Sequence, residues 1–269
     1  MKYFKTILSL AFFASWTIPA FTQIGPAQIK TLDSTLTILH EQAMFNGTVL
    51  VADHGKVLYK KAFGKADIAT RDPLKTTSSF NLASVSKQFI AMMVMMLEEK
   101  GKLHYDDPVK QYLPAFPYET ITIRHLLTHT SGLPEYFDLV LAHRNTLDTL
   151  TNAKLLQLLA EFKPKPNFAP GERWEYCNTG YVLLASVIEK AANMPVESFF
   201  KQQITDPLGL RNTYIYTLEM KQSPPGRVFG FRRENGREVS SDLMRFDGVV
   251  GDGNKIGRAS CRERVYHPV

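Results

Sequence analysis

The chain has 269 residues and a formal net charge of +6 at neutral pH, but Lys2 and Lys5 supply two of those charges and residues 255–264 a net three, which leaves +1 for the stretch between them. With a near-neutral body, the high total no longer argues for charge-driven binding to nucleic acid. The length fits one two-part unit, and the two cysteines, of which only Cys177 lies outside the C-terminal segment, exclude an internal disulfide framework.

Met1 to Gln23 carries Lys2 and Lys5, then an apolar core from Ile7 to Ala20, then the small residues Ala20 and Thr22. This is the pattern of a secretory leader, and residues 1–22 are read as a signal peptide. The stretch is too short to span a bilayer comfortably, and no cysteine follows it as a lipid attachment point. No other segment reaches the roughly 18 apolar residues of a transmembrane helix. The expectation is an exported, soluble chain, periplasmic or secreted.

Gln28 to Gln42 has the periodicity of an amphipathic helix. Two strands follow, Phe45 to Val51 and Val57 to Phe63, with Asp53-His54-Gly55-Lys56 as the turn between them. From Ser84 to about Pro195 the pattern is mostly helical, punctuated at Pro114, Gly132-Leu133-Pro134 and Pro164 to Gly171. From Val196 the chain returns toward a sheet region through a helix and short strand-like runs at Arg211 to Thr217 and Arg227 to Arg232. Arg232, Arg233 and Arg237 surround Glu234-Asn235-Gly236, which reads as a solvated hairpin rather than a basic patch. There are no internal repeats and no low-complexity tracts.

Ser84-Val85-Ser86-Lys87 opens a long apolar run from Gln88 to Leu97 and places a hydroxyl and an amine one helical turn apart, on one face. A serine hydroxyl needs a base at neutral pH, and a lysine held in a partly desolvated site can serve as one. The start of the helix supplies backbone N–H groups and a positive dipole end suited to an oxyanion. Ser86 is a weaker candidate, because adjacent helix positions do not face each other. Phe89 to Leu97 is apolar on every face, which predicts a helix enclosed by protein, with Lys87 desolvated at its mouth. The alternative is that Ser84 caps the helix and Lys87 reaches to water. Ser198-Phe199-Phe200-Lys201 has the same spacing, but it follows Pro195 and Val196 in an ordinary amphipathic helix and is read as structural.

A second motif, Tyr176-Cys177-Asn178, follows the turn at Pro170-Gly171 and precedes a helical stretch, Tyr181 to Lys190. A tyrosine near lysine can relay a proton, and an asparagine amide can orient the lysine and bind a substrate carbonyl. Cys177 has no visible electropositive partner and reads as a small packed residue. His125 and His129 are four apart on an expected helix, but no glutamate or third ligand completes a zinc site, so structural histidines are favoured. Glu172 and Glu175 read as solvated or capping residues. Gly248, Gly251 and Gly253 follow no clear strand and precede no helix, which argues against a nucleotide loop.

With the segments between them, these motifs resemble the serine β-lactamase and penicillin-binding protein superfamily, specifically its class C-like branch. The resemblance runs from about Phe45 to Asp252. It includes Phe80-Asn81-Leu82-Ala83-Ser84, Asp106-Asp107-Pro108, Tyr112-Leu113-Pro114, Ile121 to Leu133, Pro170-Gly171 and Asp206-Pro207-Leu208-Gly209-Leu210. It implies an α+β fold, with an antiparallel sheet flanked by helices and a mostly helical region at about 84–195, and the cleft between the two. It implies Ser84 as the acylated nucleophile, Lys87 as its base partner, Tyr176 as a proton relay and Asn178 as an anchor for substrate and lysine. The implied activity is that of a serine hydrolase acting on a peptide, amide or ester as a small-molecule or peptide substrate, with no cofactor, metal or nucleic-acid partner. A penicillin-recognising or scaffold protein without turnover is the alternative. The oligomeric state is left open.

The superfamily's third motif is a Lys or His, a small residue and a Gly on a strand near the C-terminus, and nothing after Asn178 supplies it. The one late histidine, His267, is followed by Pro268 and Val269. Ile256 to Val265 resembles the translation of a sequencing adapter. Residues 255–269 are therefore expected to be non-native read-through, residues 23–254 an incomplete β-lactamase-related domain lacking its C-terminal strands, and the chain as written inactive.

Overall fold

The computed structural model describes residues 24–142, 149–217, 220, 226–241, 248–253 and 255–257. Residues 1–23, which include the segment read as a signal peptide, and residues 258–269 lie outside the described residues. Chain order begins with helix α1 (Pro26–Glu41), entered through Gly25 with Pro26 at its first position, where a missing N–H costs nothing. Strands β1 (Gly47–Asp53) and β2 (Lys56–Phe63) then pair antiparallel, with Gly47 opposite Phe63 and Asp53 opposite Lys56. The two turn residues, His54 and Gly55, both take positive φ, which closes a tight hairpin with the twist that its strands need. Tyr59 and Lys61 both donate to Asp33 of α1, at 2.7 and 2.6 Å, and tie the hairpin to that helix.

The helical region holds α2 (Ser86–Glu99), α3 (Val109–Tyr112), α4 (Ile123–Leu127), α5 (Tyr136–Ala142), α6 (Asn152–Phe162) and α7 (Asn178–Ala192). Its centre is α7, in which Val182, Leu183, Leu184, Ala185, Val187 and Ile188 are all almost completely buried. They pack with Ile90, Met93, Val94 and Leu97 of α2, Ile123 and Leu126 of α4, and Leu155, Leu158 and Leu159 of α6 in one continuous core. Burying side chains of this size stabilises the fold by about 1.5–3 kcal/mol each, so the core holds the ends of α2 and α7 in fixed relation. Gly180 faces α4, where a side-chain carbon would make only an ordinary contact with the Leu126 carbonyl, at 3.5 Å.

Met92 and Met95 correct one expectation. The face of α2 that carries them is open, at 46% and 58% exposure, although the run is apolar all round. Apolar residues on every face allow a helix to be buried on every side, but they do not say which side meets a neighbour.

After α7 come α8 (Val196–Phe200), a π-helical turn at Lys201–Thr205, β4 (Tyr214–Ile215), the hairpin of β5 (Phe231–Glu234) and β6 (Arg237–Ser240), and β7 (Lys255–Gly257). With β3 (Phe80–Asn81), the strands form three antiparallel groups, β1-β2, β3-β7-β4 and β5-β6. In the middle group β7 is central, with Ile256 opposite both Asn81 and Tyr214. The strand thus comprises the first three residues of the segment read as read-through. The Asn235-Gly236 turn of β5-β6 has positive φ at both residues, as the sequence predicts.

Candidate active site

All four residues of the two sequence motifs meet at one point. Ser84 lies in a 3-10 turn, Ala83–Val85, that leads into α2, and Lys87 lies in the first turn of that helix. Ala83 takes φ of +44°, a left-handed conformation that is costly for a residue with a side chain. The Asn81 side-chain oxygen holds it there by accepting from the Ala83 N–H at 3.0 Å. The sharp turn leaves Ser84 exposed while Lys87, three residues on, is only 6% exposed.

A buried ammonium is expensive unless its donors are satisfied. Lys87 Nζ lies 2.7 Å from Asn178 Oδ1, 2.8 Å from the Asp252 carbonyl and 3.3 Å from Ser84 Oγ. Two of these partners are carbonyl oxygens, which can only accept. A neutral amine in this place would give one N–H to each carbonyl and turn its lone pair toward the serine, which is the arrangement a base requires. Tyr176 approaches from the other side, its hydroxyl donating to Ser84 Oγ at 2.8 Å. Lys87 Nζ also sits over the rings of Tyr176 and Tyr181, 5.0 and 5.5 Å from their centres.

Tyr176 and Asn178 reach the lysine because Cys177, in extended conformation, is the N-cap of α7 and Asn178 is its first residue. The Cys177 thiol points into the core, donating to the Leu133 carbonyl at 3.3 Å, and burial pushes its pKa up to about 11. It is a packing residue, not a nucleophile.

His129 does not share a helix with His125, because α4 ends at Leu127 and His129 has φ of +57°. Its ring stacks on Tyr176, with centres 4.6 Å apart, and its Nδ1 accepts from the Cys177 N–H at 3.1 Å. That bond leaves the ring proton on Nε2. Burial, and secondarily the Lys87 charge, hold His129 below the usual histidine pKa. His125 instead belongs to a capping box with Thr122 at the start of α4. No cluster able to hold a metal ion occurs among the described residues.

Sequence reasoning missed four contributors. Glu135, just before α5, accepts from both the backbone N–H and the side-chain amide of Asn178, the latter at 3.0 Å. Asp252 supplies the second carbonyl to Lys87, and its side chain accepts from the Tyr136 hydroxyl at 2.9 Å. Burial raises the Asp252 pKa above the ordinary 3.8, with the Tyr136 bond and the Lys87 charge opposing. Asn152 pins the same loop, with Val250 donating to its side-chain oxygen at 2.8 Å and its amide donating back to the Val250 carbonyl at 2.9 Å. Gly251, at φ of +126°, lets the loop pass the Tyr181 carbonyl, which a side-chain carbon would meet at 2.2 Å. Gly251 therefore helps shape a support for the lysine. No local spacing signals these pairings, because each joins residues far apart in the chain.

The remaining candidates lie elsewhere. Lys201 is exposed and pairs with Asp206 at 2.6 Å. Ser86 is buried and lines a small apolar cavity with Phe89, Ile90, Met93 and Gly251. Glu172 and Glu175 are exposed and accept from the Ala169 N–H and the Asn167 amide, at 3.0 and 2.9 Å.

Comparison with known proteins gives the family and the fold. The family model described as Beta-lactamase matches residues 32–260. Penicillin-binding protein 4* of Bacillus subtilis is 41% identical over 271 aligned residues, covering 89% of this chain and 59% of its own. Esterase EstB of Burkholderia gladioli is 33% identical over 223 residues, covering 77% of this chain and 56% of its own. Among solved structures, a penicillin-binding protein from Bacillus halodurans superposes with a TM-score of 0.73 at 28% identity, over 85% of this chain and 70% of that one. The chain thus spans less than two thirds of the length of these two curated relatives.

Proposed function

Because the chain belongs to the β-lactamase family, we propose that it is a serine hydrolase that forms an acyl-enzyme on Ser84, with a peptide, amide or ester as substrate. The observation that carries this reading is the hydrogen-bonded set around Ser84 Oγ, with Lys87 at 3.3 Å and Tyr176 at 2.8 Å. Lys87, as the free amine, takes the Ser84 proton while Oγ bonds to the substrate carbonyl carbon and the carbonyl electron pair moves to its oxygen. The positive end of α2 favours that oxyanion. When the oxyanion collapses, the bond to the leaving group breaks and Tyr176 passes the leaving group a proton, which Lys87 can return to the tyrosine. Water then attacks the Ser84 ester, and the reverse proton movements release the acid and restore the serine. Asn178 anchors the lysine.

The family likeness to both a penicillin-binding protein and an esterase supports an acyl-transfer site whose substrate choice lies outside these four residues. No helix among the described residues is long and apolar enough to cross a membrane. The charged and apolar pattern of residues 1–22 supports export through a cleaved leader.

Covalent labelling tests the proposal. In the chain extended with a C-terminal region like that of its relatives, the form used for this and the assays below, a fluorescent penicillin or a fluorophosphonate is expected to label the parent protein and Ser198→Ala, but not Ser84→Ala. Equal labelling of Ser84→Ala would remove Ser84 from the mechanism. Labelling without repeated turnover would mark a binder instead.

A further inference from the structure

An asparagine amide can sit in two orientations that differ by half a turn, and only its hydrogen-bond partners decide between them. The lysine requires one of the two, since only Oδ1 can accept from Lys87 Nζ, as it does at 2.7 Å. We propose that Glu135 is the positioning residue that fixes this choice, and that it sets the rate of Ser84 acylation through Asn178 and Lys87. The inference rests on the reading of Ser84 as nucleophile.

The geometry is a clamp. One carboxylate oxygen of Glu135 accepts from the backbone N–H of Asn178 and the other from its Nδ2 at 3.0 Å. A carboxylate only accepts, so it selects the NH₂ side of the amide and sends Oδ1 toward the lysine. The flipped amide would set oxygen against carboxylate and NH₂ against the lysine donors, leaving four polar groups mismatched in a half-buried site.

The backbone that carries Glu135 is itself fastened to the segment it clamps. Thr179 Oγ1 donates to the Pro134 carbonyl at 2.7 Å and Cys177 Sγ to the Leu133 carbonyl at 3.3 Å. Residues 133–135 thus run beside residues 177–179 with three consecutive ties. Glu135 makes no ion pair among the described residues, and each of its carboxylate oxygens accepts from Asn178. The competing structural role is that of an acid favouring the positive end of α5, which would involve neither Asn178 nor the rate.

The test compares Glu135→Gln, Glu135→Asp and Ser84→Ala in the extended chain. Its readouts are the single-turnover acylation rate with a nitrophenyl ester, KM, the melting temperature and penicillin labelling. Glu135→Gln keeps the shape but offers one acceptor instead of two, and is expected to slow acylation by about 10–100-fold, the scale typical of groups that orient a ligating or catalytic residue, with little change in KM. In an Asn178→Ala background the same substitution is expected to add much less to the rate loss, because the side-chain amide it orients is gone and only the bond to the backbone N–H of residue 178 remains. Glu135→Asp retains the charge before α5 but draws the carboxylate back by one methylene, so a purely structural acid would leave its rate at the wild-type value. Slowed acylation by this variant supports positioning, even where Glu135→Gln fails to fold. Wild-type acylation by a folded Glu135→Gln or Glu135→Asp, with Ser84→Ala unlabelled, overturns the role of Glu135 alone. Labelling of Ser84→Ala overturns the nucleophile assignment instead.

Discussion

Tyr176→Phe removes one hydroxyl and leaves almost everything else in place, which makes it the most discriminating perturbation of the site. The ring keeps its stack on His129, with centres 4.6 Å apart, and its place under Lys87 Nζ at 5.0 Å. What is lost is the 2.8 Å bond from the hydroxyl to Ser84 Oγ. Tyr176 is 42% exposed, so water can replace that bond in the free protein, and the stability cost is expected to stay within about 1 kcal/mol. Catalysis has no such replacement. Loss of a positioned acid–base group costs about 10²–10⁴-fold, which corresponds to roughly 3–5 kcal/mol of barrier. The assay is kcat/KM for a nitrophenyl ester or nitrocefin across pH, with melting temperature measured in parallel. A kcat/KM within about threefold of wild type, at unchanged stability, would assign Tyr176 to packing and refute the relay.

Two further substitutions probe the loop that supports the lysine. Gly251→Ala places a side-chain carbon 2.2 Å from the Tyr181 carbonyl at φ of +126°; it is expected to cost about 1–3 kcal/mol from backbone strain and to lower kcat by withdrawing the Asp252 carbonyl, and wild-type melting and activity would contradict this. Asp252→Asn probes pH. Because burial raises the folded Asp252 pKa above 3.8, the contribution of Asp252 to stability is complete below that value and is lost as pH rises through the folded pKa. The melting temperature of Asp252→Asn relative to wild type should therefore rise between pH 4 and pH 8, and a constant difference would contradict that sign.

The residues to which the proposal gives the chemistry were legible as pairs where they are close in sequence. Ser84 and Lys87 share a helical turn, and Tyr176 and Asn178 flank one residue, so each pair declares itself as a spacing, and the family resemblance joins the two pairs. Their supports were not legible. Glu135 acts on a residue 43 positions away and Asp252 on one 165 positions away, and a through-space pair leaves no periodicity to read. Helix and hairpin positions followed well from patterning, as at α1 and the Asp53 to Lys56 turn. The open face of α2 did not, because Met92 and Met95 announce what can be buried rather than what is. His129 was misplaced on a helix for a related reason: spacing of four suggests a shared face only while the helix continues, and α4 ends two residues before it.

The central claim is that Ser84 Oγ becomes covalently acylated, and mass spectrometry of the C-terminally extended protein and its peptides after exposure to a penicillin or an activated ester tests it most directly. The account predicts one added acyl mass, carried by the peptide that contains Ser84 and absent from Ser84→Ala. An adduct on another residue, or an adduct that persists in Ser84→Ala, would contradict it.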